Sequence, residues 1–139
     1  MQKKPVPASL KKLTYRDFDL QFRRHPSTGK LLMKKDDEAV KQAVKNLILT
    51  NHYERPFRPE FGGNVRARLF DLFTTFTQAD FENLILNAIQ NYEPRAIVDG
   101  SSVSVRENAD GNSMTIIIRF RNAVTLNDLQ LDVNLNRVR

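Results

Sequence analysis

Four carboxylates are the first residues in this sequence whose chemistry matters: Glu54, Glu60, Glu93 and Asp99. A glycosidase needs two carboxylates that face each other across a cleft, one of which acts as an acid. None of the four stands at a spacing that identifies such a pair, and no nucleophile elbow, phosphate-binding glycine loop or HExxH motif is present. Surface and capping roles explain these carboxylates best, and we predict that the chain is not an enzyme.

Metal and thiol chemistry have few candidate residues. Cysteine is absent, and His25 and His52 are the only histidines, which excludes disulfides, cysteine nucleophiles and histidine-rich metal sites. We therefore predict no cofactor. No apolar stretch approaches the roughly 18 residues of a membrane span, and the basic N-terminus lacks the apolar segment of a secretory signal.

Hydrophobic periodicity predicts three helices. The first begins with Asp36 as its cap, buries one apolar stripe and ends by about Tyr53, ahead of two prolines. A shorter helix is predicted over residues 64–73. The third is the most regular: it begins with Thr77 as its cap and ends where Pro94 stops it.

The C-terminal part of the chain predicts strands. Val103 and Val105 alternate with polar residues, and the turn over 108–112 has Asp-Gly at its centre, as in hairpins. Met114–Arg121 is apolar enough for a strand covered on both faces, and the alternation from Leu129 to Val138 predicts a last strand. The fold class is α+β, in which helices precede a small, mainly antiparallel sheet within a single domain over residues 36–139.

Residues 1–35 carry most of the positive charge. They contain ten Lys/Arg and two Asp, whereas residues 36–139 contain twelve Lys/Arg and fourteen Asp/Glu, and the whole chain has a net charge of +6. Phe18, Leu20 and Phe22 alternate with polar residues, which predicts a half-buried strand or extended arm. We interpret 1–35 as a basic extended N-terminal arm. Such an arm can contact nucleic acid or an acidic protein surface.

The last strand raises the question of its edge. A strand at a chain end often lies at the edge of a sheet, where unpaired N–H and C=O groups need protection. The sequence shows no proline or bulge signal there. Either the fold covers the edge internally, or a partner chain adds a strand to it.

Glu93-Pro94-Arg95 is the most constrained polar cluster. Pro94 ends the third helix and sets the direction in which the chain leaves it. Glu93 and Arg95 can then form charge-assisted bonds. These bonds either hold the helix to the sheet within the chain or dock another chain.

Here the sequence resembles a known family. Tyr92-Glu93-Pro94-Arg95 is similar to the Glu-Pro-Arg signature of the small baseplate wedge proteins of contractile phage tails. An upstream segment resembles the same family. Its prolines fix the backbone, and its glycine permits positive φ. We call it the conformational segment; it is formed by Pro56, Phe57, Pro59, Phe61 and Gly62. The family also includes a type VI secretion baseplate component and carries an old "lysozyme-like" label.

The resemblance implies a structural protein of the virion tail baseplate, assembled in the host cytoplasm. It implies that Glu93, Pro94 and Arg95 dock on the wedge core, and that the sheet is similar to the interlocking domain of the sheath subunit. The implied partners are the sheath protein, other wedge proteins and tail tube or hub proteins, in a ring of six copies. The residues implied to lie on sheath-facing strands are Ile116, Ile118, Phe120, Leu129, Leu131, Val133 and Leu135.

Two alternative functions stay open at this point. A peptidoglycan hydrolase would need a carboxylate pair in a cleft, one member having a raised pKa. A nucleic-acid-binding protein would use the basic arm, with binding that weakens steeply as salt rises.

Overall fold

Two helices pack against one antiparallel sheet, which confirms the predicted α+β class. The computed structural model describes residues 15–69, 75–109 and 111–136. No helix in these ranges is long and apolar enough to cross a lipid bilayer. The elements are β1 (Arg16–Phe18), β2 (Met33–Lys35), α1 (Asp36–Leu49), a 3-10 turn (Arg66–Arg68), α2 (Thr75–Tyr92), β3 (Ala96–Ile97), β4 (Val103–Glu107), β5 (Ser113–Asn122) and β6 (Asp128–Asn136).

Helix α1 buries the predicted apolar stripe and begins and ends within the predicted limits, but the predicted cap is wrong. Asp36 is the first helical residue, not the cap, and its Oδ1 accepts from the backbone N–H of Tyr15 at 3.1 Å. The helix ends at Leu49, short of Tyr53, because the chain turns to extended backbone at Thr50. A later loop then supplies the donor for a last-turn carbonyl: Gly63 N–H bonds to the Leu47 oxygen at 3.0 Å.

The helix predicted over 64–73 is wrong in the part that is described. Asn64 has φ of 48°, in the left-handed region, so an α-helix cannot begin there. A 3-10 turn at Arg66–Arg68 replaces it, and Val65 and Leu69 still bury their side chains as the apolar pattern predicted. Residues 70–73 lie outside the described ranges.

Helix α2 begins at Thr75, so Thr77 lies inside the helix and is not its cap. Its end at Tyr92 confirms the stop predicted from Pro94. The side chains of α2 that enter the core follow the predicted periodicity: Phe81, Ile85, Ala88 and Ile89.

Strand β5 lies at the centre of the sheet. It pairs with β4 and the two-residue β3 along one side, and with β6 along the other. The predicted hairpin turn joins β4 to β5, and within it Gly111 has φ of +63° and donates to the Asn108 oxygen at 2.9 Å. The sequence did not predict β3, because two residues show no period.

The two faces of β5 differ, so the prediction of cover on both faces is wrong. Met114, Ile116, Ile118 and Phe120 are buried against the helices, whereas Ile117 is only half-buried and Arg119 and Arg121 are exposed. Strand β6 shows the predicted alternation and ends at Asn136; residues 137–139 lie outside the described ranges.

The described part of the basic arm, residues 15–35, is a hairpin and not a single extended segment. β1 and β2 pair antiparallel, with Phe18 opposite Met33, and β1 is shorter than the predicted strand. The predicted burial is inverted: Phe18, Leu20 and Phe22 are exposed, whereas Asp19 is buried. Residues 1–14 lie outside the described ranges.

Candidate functional site: an open sheet edge and a closed Glu-Pro-Arg turn

The hydrogen-bond register of β5 determines which backbone groups face each neighbouring strand. Arg119 N–H donates to the Ser102 oxygen, toward β4, at 2.7 Å, and Asn122 N–H donates to the Asn127 oxygen, toward β6, at 3.0 Å. Since the backbone groups of successive residues point to opposite sides in an antiparallel ladder, the odd-numbered residues of β5 bond to β4. The even-numbered residues bond to β6.

The same register exposes one edge of β6. Ile116 pairs with Val133 and Ile118 with Leu131, so the odd-numbered residues of β6 direct their N–H and C=O groups to β5. The N–H and C=O groups of Gln130, Asp132 and Asn134 therefore point away from the sheet. Within residues 15–69, 75–109 and 111–136, no strand pairs with this edge.

Polar side chains of β6 bond to neighbouring side chains. The Asn134 Oδ1 accepts from the Thr115 hydroxyl at 3.0 Å, and Gln130 Oε1 accepts from Arg119 Nε at 3.3 Å. Asp128 likewise pairs with Arg121 at 2.7 Å. These contacts tie the side chains of Asn134, Gln130 and Asp128 to β5, and Gln130 Nε2 donates to Asp132 Oδ1 at 3.0 Å along β6.

Helix α2 covers the opposite edge of the sheet. Glu82 Oε1 accepts from Val105 N–H at 2.9 Å, and Gln78 Nε2 donates to the Val105 oxygen at 2.9 Å. Gln78 also donates to Glu82 at 3.1 Å, which ties the two side chains together. The outward backbone groups at the middle of β4 are thus already bonded, and the two edges of the sheet are unequal.

The predicted sheath-facing strands occupy different places in the sheet, and their sheath contacts stay a prediction. β5 has neighbours on both sides, so Ile116, Ile118 and Phe120 belong to a central strand without a free edge. The alternating apolar residues of β6 turn toward the helices and not outward. Val133 and Leu135 are buried, and Leu129 and Leu131 are partly buried against the same core.

Glu93 and Arg95 bond to each other within the chain. Arg95 Nε lies 2.6 Å from Glu93 Oε1 and Nη2 lies 2.7 Å from Oε2, a bidentate ion pair, while Glu93 is only 7% exposed. The hydrogen bonding of its guanidinium to the Glu93 carboxylate, aided by the negative charge of Glu93, raises the pKa of Arg95 above its ordinary value. The structure therefore contains the intramolecular form of the pair that the sequence left open.

The hairpin completes the cover of Arg95. Its guanidinium lies 5.0 Å from the centre of the Tyr15 ring, and an Asp17 carboxylate oxygen lies 4.0 Å from Nη1. The Arg95 side chain remains 25% exposed, and Pro94 beside it is exposed. Pro94 and part of the Arg95 side chain are therefore the exposed portion of this turn.

The conformational segment packs against the end of α2. The Phe61 and Tyr92 rings meet edge to face at 5.1 Å, and the Arg55 guanidinium lies 4.3 Å above the Phe61 ring. The Tyr92 hydroxyl donates to the Glu60 backbone oxygen at 3.0 Å. Phe57, by contrast, is fully exposed. The segment thus supports the helix turn that leads into Glu93.

Two of the other candidate carboxylates, Glu54 and Asp99, have structural partners. Glu54 accepts from the backbone and side-chain nitrogens of Asn51, and these bonds lower the pKa of Glu54 below its ordinary value. Asp99 accepts from Ser101 and Ser102, which lowers its pKa in the same way. Over residues 15–69, 75–109 and 111–136, no group of three His, Asp or Glu side chains is placed to hold a metal ion.

Sequence reasoning missed two contacts that shape this site. Gln78 and Glu82 lie one helical turn apart, but nothing in the sequence indicates that they reach β4. Asp37, in the first turn of α1, accepts from Asn122 at 2.7 Å, Thr125 at 2.5 Å and Asn127 at 2.7 Å. These bonds hold the β5–β6 turn to the start of α1 and so position β6.

Together these features define a small α+β structural domain whose sheet is protected along one edge and open along the other. The chain belongs to the family described as baseplate wedge protein gp25, whose model matches residues 34–126. It is 35% identical over 82 residues to the baseplate wedge protein gp25 of Enterobacteria phage T4. That match covers 59% of this chain and 61% of the phage protein, so the chain spans less than two thirds of its relative's length.

Two solved structures are similar in fold. A Geobacter sulfurreducens protein crystallised under the name of a tail lysozyme superposes with a TM-score of 0.69 at 23% identity, covering 79% of this chain and 98% of that one. A chain in the 6-fold symmetrised cryo-EM structure of the anti-feeding prophage baseplate superposes with a TM-score of 0.56 at 21% identity. The superposition covers 91% of this chain and 88% of that one. The family resemblance inferred from the sequence is thereby confirmed.

Proposed function

We propose that this chain is a wedge subunit of a contractile-tail baseplate in the virion, and that it starts the sheath by accepting a strand along β6. The observation that carries this proposal is the inequality of the two edges. Val105 of β4 is bonded to α2, whereas Gln130, Asp132 and Asn134 offer outward N–H and C=O groups. An incoming strand can therefore gain main-chain hydrogen bonds from Gln130, Asp132 and Asn134 of β6.

The partner of this edge is the tail sheath protein. Each copy of the chain supplies one short edge, which by itself binds weakly. A ring presents several edges at once, and the 6-fold symmetry of the anti-feeding prophage baseplate supports a ring of six copies here. Binding of the first sheath ring then becomes cooperative, because one attached subunit raises the effective concentration of the next edge.

Anchoring to the other wedge proteins is assigned to the turn at Glu93-Pro94-Arg95. Glu93 orients Arg95 through two hydrogen bonds, and Pro94 is exposed at the tip. Beside the turn runs a groove between α1, the conformational segment and the end of α2, lined by residues such as Asn46, Phe61 and Tyr92. A partner helix from the wedge core fits such a groove, with tail tube or hub proteins as further neighbours.

We assign no hydrolytic activity to the chain. A lysozyme-type mechanism needs one carboxyl group with a pKa raised toward neutrality. Glu54 is not suited to that role, because Asn51 lowers its pKa, and both carboxylate oxygens of Glu93 are already bonded to Arg95. A muralytic assay on purified protein, with Glu60→Gln and Glu93→Gln as variants, tests this; activity lost in E93Q contradicts it.

Proline at Asp132 tests strand addition. Its outward N–H is not part of the internal ladder, so Asp132→Pro removes a donor for an added strand and keeps the fold. We expect at least a ~10-fold fall in the fraction of baseplates that carry sheath in electron micrographs. Asp132→Ala, which keeps the N–H, should behave like the parent protein.

Two controls make that experiment decisive. Leu131→Pro removes a donor to β5 and should lower the thermal stability of the isolated chain, which verifies the assumed register. Mass spectrometry of purified baseplates shows whether the D132P chain is incorporated. Normal sheath on baseplates that contain D132P would refute strand addition at β6.

A further inference from the structure

The β1–β2 hairpin exposes its apolar face and buries its acidic one. Phe18 is 60% exposed, Phe22 67% and Met33 41%, whereas Asp19 is 3% exposed. The inward position of Asp19 is stabilised by Arg23 Nε, 2.6 Å from its Oδ2. A strand that alternates this regularly normally turns its apolar side to the protein body. The outward apolar face therefore lacks a partner within the described residues.

The hairpin holds this face in a defined position. Tyr15 and Asp36 exchange two hydrogen bonds, at 2.9 and 3.1 Å, and Gln42 Nε2 donates to the Phe18 backbone oxygen at 2.8 Å. The hairpin is thus fastened to the start of α1 and to its second turn. An apolar face on a fixed element is pre-organised for binding, since little ordering entropy is lost when it docks.

Cations surround the apolar centre. Arg16 stands opposite Lys35 in the ladder, next to the Phe18–Met33 pair, and Arg24 and Lys30 lie near the far end of the hairpin. None of these four forms an ion pair with another residue of the described ranges. An apolar centre with a charged rim is the layout of a protein–protein interface.

We propose that this hairpin face is a docking surface for a neighbouring protein that presents an apolar pocket bordered by Asp and Glu side chains. Charge complementarity selects the acidic border, because the free charges on the face are all positive. A phosphate backbone would need the cations at the centre of the contact, where Phe18 and Met33 lie instead. The face is thus suited to an acidic protein and not to nucleic acid.

The apolar part of the proposed surface precedes the segment shared with the family, whereas Lys35 of its rim lies inside that segment. All five exposed apolar residues of the hairpin precede residue 34, where the family match begins: Phe18, Leu20, Phe22, Leu31 and Met33. It is also on a different element from the β6 edge. The docking surface and strand addition can therefore fail or succeed independently.

Paired variants in assembled tails test the proposal. Phe18→Ser with Met33→Ser, and separately Arg16→Glu with Lys35→Glu, should each reduce the amount of this chain in purified tails at least five-fold. Ile97→Ser removes an apolar side chain of similar exposure, 53%, from the other sheet, and should leave the amount unchanged. Unchanged incorporation of both paired variants would overturn the proposal.

Photo-crosslinking identifies the occupant. With benzoylphenylalanine at position 18 in assembled tails, we expect one crosslinked protein, joined at a segment rich in Asp and Glu. The same group at position 97 is the control. Crosslinks to DNA or RNA, to residues 1–14 of this chain, to a second copy, or to no protein at all each contradict the proposal.

A loss of incorporation must not arise from misfolding. Thermal unfolding of each purified variant is measured beside the parent. If the F18S/M33S chain is less stable than the parent, the Phe22→Ser variant is used to test the docking surface instead. Phe22 is 67% exposed and lies beyond the paired residues of β1, so its replacement should leave the fold intact. Phe22→Ser with parental stability and parental incorporation would refute the docking surface, and a loss at parental stability supports it.

Discussion

Gly62 illustrates how a single residue positions the loop that supports the Glu-Pro-Arg turn. Its φ of +126° is rarely adopted by residues with a side chain, and an added Cβ would lie 2.3 Å from the Thr50 backbone oxygen. The chain can follow α1 this closely only without a Cβ. The glycine thereby keeps Phe61 against Tyr92 and the end of α2.

We predict that Gly62→Ala lowers the free energy of unfolding by at least ~2 kcal/mol, because backbone strain and the contact with Thr50 add together. Denaturant titration of the purified chain measures the change. Gly100→Ala is the matched control, since a Cβ there meets nothing within 4 Å. Equal stability of the two variants would show that the loop relaxes away from Thr50.

Arg95 stabilises the fold through contacts within its own chain. Two of its five donors bond to Glu93, an Asp17 carboxylate oxygen lies 4.0 Å from Nη1, and the Tyr15 ring lies over its face. A lysine could not reproduce the bidentate geometry. The arginine therefore links α2, the sheet and the hairpin at the point where the family signature lies.

At the scale of elements, the sheet is three strands wide, and its two edges differ in how they are protected. Helix α2 covers β4, and the bonds from Asp37 fix the turn before β6. Natural sheets usually protect both edges against unwanted pairing. Here the protected edge is that of β4, beside α2, and the exposed edge is that of β6, the last described strand.

Hydrogen exchange should resolve the register of β6 residue by residue. The amides of Gln130, Asp132 and Asn134 face outward and should exchange at least ~100-fold faster than those of Leu131 and Val133. Amide exchange followed by NMR at two protein concentrations provides the measurement. Uniform protection along β6 at both concentrations would mean that part of the same chain covers the edge.

At the scale of the whole molecule, charge and function are divided between two regions. The body over 36–139 is close to neutral, whereas the first 35 residues contain ten Lys/Arg against two Asp. The body has the family fold and the open edge. The hairpin belongs to the basic region and carries the exposed apolar side chains of Phe18, Phe22 and Met33.

Acid should destabilise the whole fold. Hydrogen bonds, the strongest from Thr125, lower the pKa of Asp37 below its ordinary 3.8. A lowered folded-state pKa contributes stability that is present above the unfolded-state value and is lost as the pH falls through the folded-state value. Asp37→Asn should therefore cost about 1 kcal/mol at pH 7, and the difference should vanish well below pH 3.8.

Denaturant titrations of the parent protein and of D37N, from pH 7 to below pH 3.8, measure this difference in the free energy of unfolding. Glu38→Gln is the control, because the Glu38 carboxylate lies 3.7 Å from Lys41 and is 63% exposed, and such surface pairs contribute little. A difference between D37N and the parent that persists at low pH would place the effect in packing and not in the charge.

Much of the fold was predictable because local periodicity encodes it. The 3.6-residue period of α2, the alternation of β6 and the Asp-Gly turn before β5 each depend on neighbouring residues, and each was confirmed. The helix predicted over 64–73 failed because the positive φ of Asn64 depends on the close approach of the loop to Thr50. The roles of Glu93 and Arg95 in docking stay a prediction.

The sequence by itself determined the family, the α+β class and the presence of an alternating last strand, because these follow from residue type and spacing along the chain. Only the tertiary structure decided which face of each alternating segment meets the body. Alternation predicts two faces but not their orientation, so Phe18 was assigned inward and lies outward. The open edge of β6 is also a property of the tertiary structure, because it depends on which element lies beside each strand.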